Sequence, residues 1–247
     1  MDSHADKTIQ LVDKMSIYEH ESDVEVLLRQ LAAVQRPTIL SFVNAHAINL
    51  AKRNDAFFRN LMDTDVVLRD GSGVATLFRW LGRSAGVNLN GTDFIPSLAE
   101  MFRGRTAALF GTQEPWLSLA ADRLRQTGLE VLHVRDGFQQ PTAYRAALEN
   151  APVDLVILGM GMPKQEMVAT ELRQHLVAPC LIVNGGAIPD FLAGRFQRAP
   201  QLVRSVGMEW GYRLFKEPRR LFKRYLVGNL VFLFAATKLA LAQRSEA

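Results

Sequence analysis

Apolar positions along the chain fall into two rhythms. Six short runs are apolar almost without interruption and rich in β-branched residues: 38–44 (TILSFVN), 66–70 (VVLRD), 107–111 (AALFG), 130–134 (EVLHV), 154–161 (DLVILGMG) and 180–187 (CLIVNGGA). Between them, segments such as AINLAKRNDAFFRNLM, WLSLAADRLRQTG and KQEMVATELRQHL place apolar residues three and four apart, the spacing of one helix face. Strands alternating with helices predict βαβ units and a parallel sheet. Runs such as LVILG, with no polar alternation, predict burial on both faces of that sheet. The expected fold is therefore α/β, a Rossmann-like parallel sheet with helices on both faces, without internal repeats or low-complexity segments.

Open parallel sheets bind ligands beyond the carboxyl ends of their strands. Those ends read Asn44, then Asp70-Gly71-Ser72-Gly73, then Gly111-Thr112, then Gly159-Met160-Gly161, then Asn184-Gly185-Gly186. Glycine lets a ligand approach the backbone, and a following helix N-terminus offers N–H groups to phosphate. Tight βα turns also need glycine, but five such ends together favour a nucleotide-like ligand. Asp70, delivered by an apolar strand into a loop nearly bare of side chains, reads as a turn residue, as a general base or as a ribose ligand. GMGMPKQE (159–166) is not a dinucleotide fingerprint, because Lys164 stands where the third glycine of G-x-G-x-x-G belongs. This disfavours a nucleotide-cofactor oxidoreductase. Pro163 suits a first helical turn, beside which Lys164 and Gln165 project where a diphosphate fits. Asp63-Thr64-Asp65 has the Asp-x-Asp form of a metal site, yet it precedes its strand and reads as a helix-to-strand turn. His46 and His133 lack metal-ligand company, and no Ser/His/Asp or Cys/His arrangement stands out. No metal and no other cofactor is expected.

Charge changes the picture at the C-terminal end. The net charge of +4 divides into −4 over residues 1–194 and +8 from Arg195 onward, which predicts an anionic partner for the tail. Arg213, Lys216, Arg220, Lys223 and Arg224 share a helical face, with Trp210, Leu214, Leu221, Phe222 and Tyr225 supplying apolar area. A basic helix bearing aromatics reads as a binder of the membrane interface. Residues 225–242 are apolar apart from Asn229 and Lys238, marginal for crossing a bilayer. They are read as lying on the membrane rather than spanning it, the bland alternative being a docked helix covering the core. Nucleic acid is disfavoured, since it has no use for the apolar stretch. The chain of 247 residues thus divides into an α/β domain (1–194) and a membrane-associating appendage (195–247). The lone Cys180 excludes an internal disulfide, and a polar N-terminus without a secretory pattern points to the cytosol.

With these residues assembled, the chain resembles the WecG/TagA/CpsF glycosyltransferases, also called glycosyltransferase family 26, from about residue 20 to 235. The carriers are NAHAINLAKRNDAFFRNLMDTDVVLRDGSGV, NGTDFIP, LFGTQEPWLSLAADRL, DLVILGMGMPKQE, GGAIPDFLAGRFQRAP and GMEWGYRLFKEPRRLFKRYLVGN. The resemblance implies an inverting transferase that moves a sugar from a UDP-sugar to an undecaprenyl-diphosphate-linked saccharide. Its place would be the cytoplasmic face of the bacterial inner membrane, as a peripheral protein of surface or exopolysaccharide biosynthesis. It implies Asp70 as catalytic base; read from the strand ends beside it, Gly71 and Gly73 are expected to leave room for two sugars and Asn44, Asn90, Thr92 and Asp93 to hold sugar hydroxyls. Lys164 and Gln165 would stabilise the departing diphosphate. Gly91, Gly111, Glu166, Asn184, Gly185 and Gly186 complete the expected substrate-binding set. Arg213, Lys216, Arg219, Arg220, Lys223 and Arg224 would grip lipid phosphate and headgroups. Two positions depart from the commoner family wording: Phe42-Val43-Asn44 replaces Thr-Pro-Asn, and Asn88 replaces an arginine before Gly91-Thr92-Asp93. With NLNGTDF closer to the xanthan-type exopolysaccharide branch, UDP-glucose is expected over UDP-N-acetylmannosamine. The alternative is a non-catalytic, membrane-docked sugar-nucleotide-binding assembly factor, disfavoured by the retained Asp70 and Pro-Lys-Gln-Glu. Other enzymes of the same pathway are expected partners.

Overall fold

The computed structural model describes residues 3–205 and 209–246, leaving out the side chains of 3–5, 204–205, 213, 220, 223–225 and 243–246. Six strands follow the six apolar runs closely: β1 (Thr38–Val43), β2 (Val66–Arg69), β3 (Thr106–Gly111), β4 (Glu130–Arg135), β5 (Leu155–Gly159) and β6 (Leu181–Asn184). They form one sheet in the order β2-β1-β6-β5-β3-β4, and every pair is parallel. Strands β1, β5 and β6 occupy the centre and are buried along their whole length, as their unbroken apolar sequences require, whereas the edge strand β4 is half-exposed.

The two-residue period of each strand splits the core into layers. Leu40 and Phe42 of β1 face a cluster built with α2 (Glu21–Ala32), α6 (Gly91–Glu100) and α7 (Trp116–Gln126). Ile39 and Val43 point the other way. Ile39 meets α8 (Pro141–Asn150) and α9 (Lys164–His175). Val43 meets α1 (Ser3–Lys14), α3 (Ala45–Arg53), α4 (Asp55–Met62) and α5 (Ser72–Trp80).

Asparagine sets several helix starts. The periodic stretch AINLAKRNDAFFRNLM is two helices, because the Asn54 side chain accepts the Phe57 N–H at 3.0 Å and begins α4 anew. At the amino ends of the strands, Asp65 accepts the Ile39 N–H at 2.8 Å and Arg36 Nη2 at 2.7 Å, while Asp63 pairs with Arg173. Burial alone would raise Asp65, but Ile39, Arg36 and Arg173 hold it below the ordinary carboxylate range. This segment is the turn that its position before β2 suggested. His133 Nε2 lies 2.8 Å from the Ala151 carbonyl oxygen.

Connections after β3 and β5 leave in opposite directions, which makes their carboxyl ends the topological switch point of the sheet. There the backbones nearly touch. A Cβ on Gly111 would lie 2.4 Å from the Gly159 carbonyl, and one on Gly159 would lie 2.1 Å from Pro189 Cγ. These two glycines are fixed by packing beneath the ligand edge.

After β6 comes the short helix α10 (Ile188–Leu192); from residue 195 onward follow α11 (Gln201–Ser205), α12 (Glu209–Lys216) and α13 (Pro218–Leu221). A π-helical segment (Phe222–Val227) and the long α14 (Gly228–Glu246) complete the appendage. α14 lies across α3 and α5. Phe232, Ala236 and Leu239 enter the core, and Asn49 Nδ2 donates to the Gly228 carbonyl at 2.7 Å. One face of the apolar tail is thus docked, while Leu230, Val231, Phe234 and Leu241 stand exposed on α14. Among the described residues no helix is long and apolar enough to cross a membrane.

Candidate active site

A cleft of about 720 Å³ opens at the carboxyl edge of the sheet. Loops after all six strands line it: Asn44 and His46 after β1, Asp70–Gly73 after β2, Thr112 after β3, Gly137 and Phe138 after β4, Gly159–Met162 after β5, and Asn184–Ile188 after β6. The start of α6 adds Asn90, Gly91 and Thr92, and the appendage closes one side with Trp210, Asn229 and Leu230.

The bareness around Asp70 is explained from below. Arg69, the last residue of β2, is only 4% exposed. Its guanidinium donates to the carbonyl oxygens of Ala85 (2.6 Å), Gly71 (3.0 Å), Gly86 (3.2 Å) and Val87 (3.0 Å), and to Asn88 Oδ1 (3.2 Å). Asn88 Oδ1 also accepts the Gly71 N–H at 3.0 Å. Burial lowers the Arg69 pKa, against the pull of the neighbouring Asp70 charge; an arginine still keeps its proton. One buried cation therefore ties the 85–88 loop to the Asp70–Gly71 turn. Asp70 extends the sheet ladder through its N–H to the Val43 carbonyl at 2.9 Å. Its Oδ2 accepts Asn44 Nδ2 at 3.2 Å, and Asn44 Oδ1 caps α3 by accepting the Ala47 N–H at 3.1 Å. Gly71, at φ +87°, takes a left-handed conformation to start α5 immediately after Asp70. The positive end of that helix favours a carboxylate there.

Two other carboxylates reach the cleft in ion pairs. Asp190 accepts Thr112 Oγ1 at 2.7 Å and pairs with Arg195 at 3.1 Å. Glu209 pairs with Arg198 at 3.2 Å, and Arg198 pairs with Asp93 on α6. Burial works against the Arg198 charge, but Asp93 and Glu209 together raise its pKa. Asn90 caps α6 by accepting the Asp93 N–H at 3.0 Å and donates to Asp93 Oδ2 at 2.9 Å. Across the cleft, Phe138 is 72% exposed on a stiff loop. Asp136 Oδ1 accepts the Phe138 N–H at 2.8 Å, and Tyr144 Oη donates to the Asp136 carbonyl at 2.8 Å.

Of the residues expected from sequence, Asp70, Asn44, Gly71, Gly73, Asn90, Gly91, Thr92, Gln165, Asn184, Gly185 and Gly186 line this one cleft. Four lie outside its lining: Gly111 beneath the floor, Asp93 in its pair with Arg198, Lys164 half-buried at the start of α9, and Glu166 buried behind Gln165. The N–H groups of Gly185 and Gly186 serve the protein itself, donating to the Leu158 carbonyl and to Gln165 Oε1. Lys216 and Arg219 are exposed on the appendage. The side chains of Arg213, Arg220, Lys223 and Arg224 lie outside the described residues. Sequence reasoning missed Arg69, Phe138 and Asp190, and named Thr112 only as part of a strand end. Only Arg69 carried a signal, as a charge at the end of an otherwise apolar strand. Among the described residues no cluster of three or more His, Cys, Asp or Glu is placed to hold a metal ion.

An all-parallel, doubly covered sheet with a cleft at its carboxyl edge and a framed carboxylate inside that cleft is the layout of an α/β enzyme. The chain belongs to the WecG/TagA/CpsF family of glycosyl transferases, whose family model matches residues 12–246. It is similar to the N-acetylglucosaminyldiphosphoundecaprenol N-acetyl-beta-D-mannosaminyltransferase of Bacillus spizizenii strain W23, at 27% identity over 177 residues. That match covers 69% of this chain and 68% of the relative.

Proposed function

We propose that the protein is an inverting glycosyltransferase that moves a hexose from a UDP-sugar onto an undecaprenyl-diphosphate-linked saccharide at the cytoplasmic membrane face. The observation that carries this reading is Asp70, set at a strand end inside the cleft and oriented by Asn44. As general base, Asp70 takes the proton of the acceptor hydroxyl while that oxygen attacks the anomeric carbon. The bond from that carbon to the UDP oxygen breaks on the opposite face, and UDP leaves with the electron pair. One displacement with one base inverts the centre and needs no second carboxylate nucleophile. The N-terminus of α5 and the amide of Gln165 offer donors to the charge that develops, and Lys164 adds a positive charge at the start of α9. Phe138 supplies a flat apolar face for a base, a contact worth roughly 1–3 kcal/mol in nucleic-acid sites.

The appendage serves the acceptor. Leu226, Leu230 and Leu233 line the cleft, and the same stretch leaves Phe222, Val227, Val231 and Phe234 exposed, next to the exposed Lys216 and Arg219. An apolar surface with a basic flank suits an anionic bilayer. It brings a lipid-linked diphosphate to the mouth of the cleft. The donor is of the glucose or N-acetylmannosamine type; Phe42 and Asn88, the two positions of unusual wording, both line the cleft. The test is UDP release from a panel of UDP-sugars, with and without a short lipid-diphosphate saccharide. Acceptor-dependent release from one donor is expected. No release from any donor in the presence of acceptor and lipid overturns the reading.

A further inference from the structure

Two polar side chains in the first turn of α9 are buried more deeply than a helix start requires. Gln165 is 1% exposed and Glu166 is 2% exposed. Val168, Ala169 and Leu172, one turn and two turns on, are locked in the core, so the helix cannot roll to release them. Gln165 lines the cleft and Glu166 does not.

Both ends of the Gln165 amide are assigned. Its Oε1 accepts the Gly186 N–H at 2.9 Å, and its Nε2 donates to Glu166 Oε1 at 2.8 Å. Turned by half a rotation, the amide would set its NH₂ against the Gly186 N–H, donor against donor, and its oxygen against the carboxyl group. The two flanking groups therefore select one orientation, which leaves the second Nε2 hydrogen for an acceptor oxygen in the cleft. Glu166 gains little else from its place. Its Oε2 is buried with no hydrogen-bond partner, and a carboxyl held that way costs stability that an apolar side chain of similar length would not. A polar group kept at such a cost beside a cleft belongs to the working of the site.

We infer that Glu166 is a positioning residue. It fixes the amide of Gln165 so that one N–H is presented to a phosphate or sugar oxygen of the bound donor. This rests on the transferase reading of the cleft for its catalytic consequence, but not for the anchoring itself.

The test compares E166L, E166Q, Q165L and the double variant Q165L/E166L. E166L removes the acceptor; E166Q keeps an oxygen for Gln165 Nε2. E166L is expected to melt no lower than wild type, yet to lose at least tenfold in kcat/KM for the UDP-sugar. E166Q should stay within threefold of wild type. Q165L should lose as much as E166L, and the double variant no more than Q165L, the signature of two residues acting as one unit. E166M replaces E166L where the latter does not yield folded protein. The second readout is hydrogen exchange at the Gly186 amide, which should speed up in E166L and not in E166Q, whatever the cleft turns over. Wild-type turnover in E166L beside an impaired Q165L overturns the inference while sparing the transferase reading. Unchanged Gly186 exchange in E166L also overturns it. Absence of transfer by the wild-type protein overturns the transferase reading, and Gly186 exchange then decides the anchoring alone.

Discussion

Replacing Arg69 with lysine tests the frame beneath Asp70. The guanidinium donates to five acceptors, four of them backbone carbonyls, from a site that is almost fully buried. A lysine ammonium keeps the charge but brings three donors on a single point, so at least two of the five hydrogen bonds are lost. Each hydrogen bond from a charged donor is worth about 1.5–3 kcal/mol. A loss of about 3 kcal/mol is therefore expected, which for a chain of this size lowers Tm by roughly 6–12 °C. The Asp70–Gly71 turn hangs on the same contacts through the Gly71 carbonyl and Asn88. Its displacement by an ångström should cut kcat by roughly 10–100-fold. Thermal unfolding and UDP release on one preparation read both effects. An R69K protein that melts within about 2 °C of wild type and keeps its kcat refutes the idea that this arginine holds the site.

Three further expectations follow from other contacts. N44D keeps a good cap for α3 but removes the donor to Asp70 and sets a second carboxylate beside it; kcat at neutral pH should fall at least tenfold and recover in part as pH rises, and a wild-type pH profile would count against the pairing. Burial pushes Glu166 up to about 7 in the fold, so the folded chain keeps a proton that the unfolded chain has released above its own lower pKa. Stability from this group is complete in acid and is lost as pH rises toward 7; E166Q should thus gain on wild type between pH 5 and pH 8 by on the order of 2–3 kcal/mol, read from denaturant midpoints, and a constant offset would contradict it. Phe234 is 77% exposed on α14, and F234E should weaken binding to anionic vesicles roughly tenfold or more without lowering Tm, since inserting one such side chain is worth about 1.5–3 kcal/mol; equal sedimentation with vesicles would remove this face from the membrane contact.

The strands were legible because a parallel sheet buried on both faces leaves an unbroken apolar run, and LVILG or CLIV has no other ready use. Legibility failed where one residue outweighs periodicity: Asn54 splits a helical pattern into α3 and α4 by capping, a local bond that no count of apolar spacings registers. At the cleft, the strand-end rule located Asp70 and most of its glycines, since topology alone brings those loops together. It did not separate residues that face the ligand from those that build the floor. Gly111 is glycine because the Gly159 backbone lies against it, and Asp93 is drawn away by Arg198, more than a hundred positions later in the chain. Phe138 and Asp190 carry no motif; only the folded loops show that they reach the cleft. The composition of the tail suits a bilayer surface but carries no sign that Phe232, Ala236 and Leu239 turn one side of α14 into the core.

The central claim is that Asp70 is the base of a sugar transfer, and single-turnover transfer by D70N against wild type tests it most directly. The measurement needs a cognate UDP-sugar, a lipid-diphosphate acceptor and a parallel titration of donor binding. Asparagine keeps the size and hydrogen-bonding reach of the side chain but cannot take the hydroxyl proton. D70N is expected to bind the donor within about threefold of wild type and to transfer slower by on the order of 10²–10⁴-fold. Transfer by D70N at the wild-type rate, with donor binding intact, would contradict it.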